Sequence, residues 1–102
     1  SNKIFNNYIA VAGLSPSVLT NIGFNYLKLN EFSNAKTFLR KSLKMAPTNI
    51  NTLVILGDVF SAQRMIKEAE KNYRIALKLN KDSKREELLK NKISKIIKNF
   101  PK

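Results

Sequence analysis

The side chains best suited to acid–base work are two close carboxylate pairs, Glu68/Glu70 and Glu86/Glu87. Neighbours one or two apart on a helix point in different directions, so neither pair converges on one substrate atom. Glu86 and Glu87 are read instead as first-turn acids favoured by a helix dipole. The chain contains no Cys and no His. That removes disulfides, thiolate or imidazole metal ligation, Cys nucleophiles and His-based proton transfer. Its three glycines, Gly13, Gly23 and Gly57, fit neither a dinucleotide fingerprint nor a phosphate loop. Tyr8, Tyr26 and Tyr73 fall at helix-interface spacing and read as core rather than as ligand-stacking groups. No catalytic residue, metal site or cofactor is expected.

What must be positioned, then, is a surface rather than a reacting centre. The 102 residues correspond to one domain or a piece of one. Nineteen Lys and Arg against seven Asp and Glu give a net charge of +12. Such a balance favours nucleic acid, anionic membrane or acidic proteins as partners. A compositional cause competes with selection for such a partner. Fifteen of the cations are Lys, and Asn (13) and Ile (10) are abundant, the bias of an AT-rich genome. No run reaches the ~18–20 strongly apolar residues of a membrane span. Residues 4–27 are uncharged but interrupted by Asn6, Asn7, Pro16, Asn21 and Asn25. No signal peptide is visible. The opening Ser1-Asn2 resembles the scar of a cleaved expression tag, so the chain reads as an excised piece of a longer protein.

An internal repeat organises the chain. At an offset of 34, Leu19 falls on Leu53, Ile22 on Leu56, Gly23 on Gly57 and Tyr26 on Phe60. Phe32 falls on Ile66, Ala35 on Ala69, Leu39 on Tyr73, Arg40 on Arg74, Ser42 on Ala76 and Leu43 on Leu77. Size class is kept, not merely polarity. Leu19, Ile22, Gly23 and Tyr26 lie at i, i+3, i+4, i+7, one face of a helix. Ala35, Leu39, Ser42 and Leu43 do the same in the second half. Each copy is therefore two antiparallel amphipathic helices, with Gly and Ala allowing close approach.

Punctuation sets the boundaries. Ser15 can cap a helix that has Pro16 at its first position. Asn30 ends that helix, Ser33 can cap the next, and Ala46-Pro47 stops it. Ser83-Lys84-Arg85-Glu86 reads as a capping box. The spacing predicts helices over 3–12, 16–29, 33–45, 50–62, 66–79 and 84–99, and no strand.

The pattern Leu19-x-x-Ile22-Gly23-x-x-Tyr26, then Ala35-x-x-x-Leu39, then Pro47, resembles the tetratricopeptide repeat (TPR). The second copy reads Leu53-x-x-Leu56-Gly57-x-x-Phe60, then Ala69-x-x-x-Tyr73. Leu replaces the usual Trp in both copies, Ser42 stands where Ala is typical, and Lys81 stands where Pro is typical. The resemblance covers 16–83. It implies an all-α solenoid of antiparallel helix pairs, a right-handed superhelix. Its parts are an N-terminal helix in 1–15, a candidate remnant of a preceding repeat, repeats at 16–49 and 50–83, and a basic capping helix in 84–102. Phe5 and Ile9 sit 34 before Leu39 and Leu43, although Tyr8 stands where a small residue is expected. Leu88, Leu89, Ile93, Ile96, Ile97 and Phe100 give the last helix an apolar stripe, and Ile93, Ile96 and Ile97 are expected to bury against the helix at 66–79. TPR domains occur in cytosolic and periplasmic proteins alike.

The resemblance also implies a function: a non-catalytic protein–protein interaction module whose concave groove, lined by the first helix of each pair, holds a peptide or helix of a partner. The groove positions are Ser17, Thr20, Asn21, Phe24, Leu27 and Lys28, then Asn51, Val54, Ile55, Asp58, Ser61 and Ala62. One TPR subclass clamps chaperone C-termini with Lys and Asn. Thr20, Phe24 and Ile55 occupy three of those positions here, so that ligand is not expected. Phe24, Leu27, Val54 and Ile55 would instead form an apolar strip for an apolar segment, unless a flanking helix covers it. Residues 84–102 hold seven cations against Glu86 and Glu87, which keeps a nucleic-acid or anionic-surface reading open. Self-association is a third.

Overall fold

The computed structural model describes residues 14–99, and five helices fill that span: α1 (Pro16–Lys28), α2 (Phe32–Met45), α3 (Ile50–Ala62), α4 (Ile66–Leu79) and α5 (Ser83–Asn99). No strand occurs among the described residues. The helix expected at 3–12, with Ile4, Phe5, Tyr8 and Ile9, lies outside them. The five remaining expected helices are all present, and the two over 50–62 and 66–79 match to the residue.

Local chemistry explains the ends. The Val18 N–H donates to Ser15 Oγ at 3.1 Å, with Pro16 next, as a capped start requires. Asn49 serves α3 in the same way, accepting from the Thr52 N–H at 3.3 Å. Two expected caps are displaced by one residue or more. Ser33 lies inside α2, where its carbonyl accepts from the Thr37 hydroxyl at 3.0 Å. Glu31 takes the cap position, its carboxylate accepting from the Asn34 side-chain amide at 3.2 Å rather than from a backbone N–H. Ser83 is already helical, and Asp82 accepts from the Lys84 N–H at 3.0 Å. A carboxylate just before the helix is the stronger acceptor at the positive end of its dipole.

The turn inside each pair is the same motif twice. The Asn30 N–H donates to the Leu27 carbonyl and the Glu31 N–H to the Tyr26 carbonyl, both at 2.9 Å. Thirty-four residues on, the Arg64 N–H donates to Ser61 at 3.0 Å and the Met65 N–H to Phe60 at 2.9 Å. This double closure is the Schellman ending, which needs a left-handed residue. Asn30 (φ 59°) and Arg64 (φ 61°) supply it. Asn tolerates that region through its short polar side chain; Arg64 is held there by the two flanking helices.

Each helix packs on the next, and α1 also touches α3. α1 and α3 thus form one layer and α2 and α4 the other, with α5 against α4. α3 is apolar on most sides because it has neighbours on most sides. Leu53, Leu56, Val59 and Phe60 are buried, while Ile50, Val54 and Ile55 pack against the same core. That core continues through Ala69, Tyr73 and Ala76 to Leu89, Ile93 and Ile96 of α5. Ile97 departs from expectation and is exposed; Leu89, four residues before Ile93, takes the buried place. A single helix face about 100° wide holds 89, 93 and 96, and 97 falls beyond its edge.

Two glycines set the spacing within the pairs. A Cβ on Gly23 would lie 2.6 Å from Leu39 Cγ and 3.2 Å from the Ala35 carbonyl oxygen. One on Gly57 would lie 2.5 Å from Tyr73 Cε1 and 2.7 Å from Cδ1. Leu39 and the ring of Tyr73 are both buried, and the ring is in addition tethered through its hydroxyl. Gly57→Ala is therefore expected to lower unfolding free energy in urea by about 1–3 kcal/mol, even after the helix-propensity gain of Ala. Gly23→Ala should cost less. Equal or improved stability in Gly57→Ala would contradict the packing.

Candidate partner-binding site

The expected groove residues come from α1 and α3, which lie side by side, but they do not act alike. Asn21, Phe24, Lys28 and Asn51 are exposed. Phe24 keeps 41% of its surface in water, and Lys28 Nζ stands 5.0 Å from its ring centroid. Leu27, Val54 and Ile55 are half-buried and pack against the core. The apolar strip is therefore narrower than expected, because these three also fill the joint between repeats. Ser17 and Ala62 are exposed, and Ser61 is half-buried.

Thr20 does not present itself to a ligand. It is buried, and its hydroxyl is 2.7 Å from both Ser42 Oγ and Thr52 Oγ1. Ser42 in turn donates to the Pro16 carbonyl at 2.9 Å. One proton per hydroxyl satisfies the whole chain if Thr52 donates to Thr20, Thr20 to Ser42 and Ser42 to Pro16. Ser42, the departure from the usual Ala, is thereby accounted for. Its hydroxyl joins α1, α2 and α3 at one buried point.

Asp58 faces the other way along α3. Its carboxylate accepts from the Tyr73 hydroxyl and from Lys92 Nζ, the latter at 3.0 Å. Burial, and then the adjacent Asp58, push the Tyr73 hydroxyl well above the usual phenol range. A raised acid stays protonated, so Tyr73 remains a donor at every working pH. With Ser61, Ala62, Lys95 and Ile96, these three residues line an open cleft of about 270 Å³ between α3, α4 and α5. Sequence reasoning placed Asp58 in the groove and left Tyr73 and Lys92 unconnected to it. The offset of 34 between Asp58 and Lys92 was the available signal.

Two of the four carboxylates first considered for chemistry are engaged in ion pairs along their own helices. Glu70 binds Arg74 at 2.6 Å, and Glu86 faces Lys90 at 3.7 Å. Among the described residues no helix is long and apolar enough to cross a membrane.

The tetratricopeptide repeat family model matches residues 16–49. The second helix pair repeats that unit in its Gly57–Tyr73 contact, its left-handed turn residue and its core. The chain is a TPR-like protein. TPR repeats are in general scaffolds for protein–protein interaction. No curated protein matches the chain.

Two substitutions test the TPR-like joints. Thr20→Val keeps the shape and removes the middle hydroxyl, stranding its neighbours; a loss of about 1–2 kcal/mol is expected in chemical denaturation. Asp58→Ala leaves the buried Tyr73 hydroxyl without its acceptor and frees Lys92, for about 1–3 kcal/mol. Hydrogen exchange should then rise first in α5. Uniform exchange along the chain would show that α5 does not depend on Asp58.

Proposed function

We propose that this TPR-like domain binds an apolar segment of a partner protein, carrying flanking acidic residues, across the exposed face of α1 and α3. The observation that carries the reading is Phe24. It is a large aromatic side chain, 41% exposed on the layer that TPR scaffolds use for ligands, beside a cation and away from the core. A half-exposed aromatic with its rim already packed loses little freedom on binding, which suits an anchor. Asn21 and Asn51 add amide donors and acceptors on the same layer, and Lys28 adds a charge that attracts an acidic flank. Leu27, Val54 and Ile55 extend the apolar floor with their remaining exposed surface.

The test is selection of peptides from a random library, followed by titration calorimetry and amide chemical-shift mapping. Selected peptides should be apolar with acidic flanks and should shift the amides of α1 and α3. Phe24→Ala should weaken them by at least ~1–2 kcal/mol while melting stays nearly unchanged. Shifts confined to α2 and α4, or unaltered affinity in Phe24→Ala, would refute the groove reading. A dimer by light scattering that dissociates in Phe24→Ala would instead assign the face to self-association.

A further inference from the structure

The cations of this protein are divided unevenly between its two layers. α1 and α3 carry one, Lys28, with one acid, Asp58. α2 and α4 carry eight, against only Glu68 and Glu70. A codon bias raises Lys and Asn together and is blind to which face a residue occupies. Here the exposed positions of α1 and α3 hold Asn21, Asn25 and Asn51, while those of α2 and α4 hold Lys and Arg. Composition accounts for the number of charges and not for their separation.

The separation is sharpest on α4. Lys67, Lys71, Arg74 and Lys78 recur at i, i+4, i+7 and i+11, a single face opposite buried Ala69, Tyr73 and Ala76. All four are exposed. At the helical rise they form a straight ridge about 16 Å long. Arg74 is tied to Glu70, but Lys67, Lys71 and Lys78 make no ion pair within the described residues. Arg40 and Lys44, one repeat earlier, continue the pattern on α2. The last helix, basic as it is in sequence, is partly neutralised: Lys92 is held by Asp58 and Lys90 faces Glu86.

We propose that the α2/α4 face is a sequence-independent docking surface for the phosphate backbone of nucleic acid. A line of cations, three of its four without an ion pair, suits a polymer whose own charges lie in line, and a DNA duplex presents about one per 1.7 Å of axis. Lys ammonium groups attract phosphates without the forked geometry that reads base edges. Base stacking has no platform here. Phe38 and Phe60 are buried, with Lys41 over the first ring and Lys36 and Arg40 over the second. A bilayer would call for an apolar stripe beside the cations, and the large apolar side chains exposed on these two helices are Met45 and Ile75, one on each. The surface is separate from the groove of α1 and α3, so either reading can fail without the other.

The test is fluorescence anisotropy with a short, labelled, mixed-sequence DNA duplex between about 50 and 200 mM salt. The wild-type chain should bind, with affinity falling steeply as salt rises. The triple variant Lys67→Gln/Lys71→Gln/Lys78→Gln should weaken binding at least ~10-fold at low salt and flatten the log–log slope by about 2.7, three lost contacts at 0.9 each. Gln keeps helix propensity, and an unchanged circular-dichroism melt confirms the fold. A control of equal net charge, Lys84→Gln/Lys95→Gln/Lys98→Gln, should lose clearly less. Phe24→Ala should bind duplex as wild type does. Equal losses in the two triple variants would show a response to net charge alone and overturn the proposal. So would an absence of duplex binding at low salt, or co-sedimentation with phosphatidylserine vesicles at a salt concentration that abolishes duplex binding.

Discussion

Two helix backbones come into contact only where a side chain is missing, and the rest of this structure depends on that gap occurring twice. Gly23 receives Leu39, and Gly57 receives the ring of Tyr73. Each contact brings the helices of a pair close enough for Ala35 or Ala69 to be fully buried, and the large residues around them close the core. The turn within each pair then has little freedom, and a left-handed residue is required at the same place in both. Asn30 meets that requirement cheaply. Arg64 meets it only because the flanking helices leave no alternative path.

Between pairs, packing alone would leave the register loose, and polar groups fix it. The buried hydroxyls of Thr20, Ser42 and Thr52 meet at the junction of three helices, each partner satisfied. A half-satisfied cluster of this kind would cost more than an apolar one, so only one sliding position of α3 against α1 and α2 meets every bond. At the other end Asp58 does similar work in a wetter setting. It joins Tyr73 of α4 and Lys92 of α5 to α3, with both charges of the ion pair partly exposed. The apolar stripe Leu89, Ile93 and Ile96 supplies most of the adhesion of α5; Asp58 orients it.

The two layers that result have different surfaces. One carries a single cation and a single acid and is amide-rich, with Phe24 exposed; the other is densely cationic. The arrangement lets a short chain present an apolar face and an electrostatic face without either crossing the core. It also keeps like charges apart from the apolar face, where their desolvation would oppose binding.

The helix pairs, their boundaries and their glycines were legible in the sequence, because a 34-residue repeat with helical spacing states the same local rules twice. Leu19, Ile22, Gly23 and Tyr26 share a face whatever surrounds them. Caps were less legible: Asp82 took the place assigned to Ser83, since competing acceptors a residue apart are separated by small energies, and the helix expected to be capped by Ser33 begins earlier, after Glu31, with no side-chain cap. The surface was only half legible. Periodicity says which residues leave a helix on one side, not what waits there. Thr20 and Phe24 both point off the α1 core stripe, yet one meets two hydroxyls and the other meets water. Asp58 likewise became part of the α5 joint only when α4 and α5 folded against it. Ile97, at the edge of the apolar stripe, stays in water for the same reason. Which face of a helix is covered is decided by its neighbours' positions in space, and those are set by side-chain contacts between residues far apart in sequence.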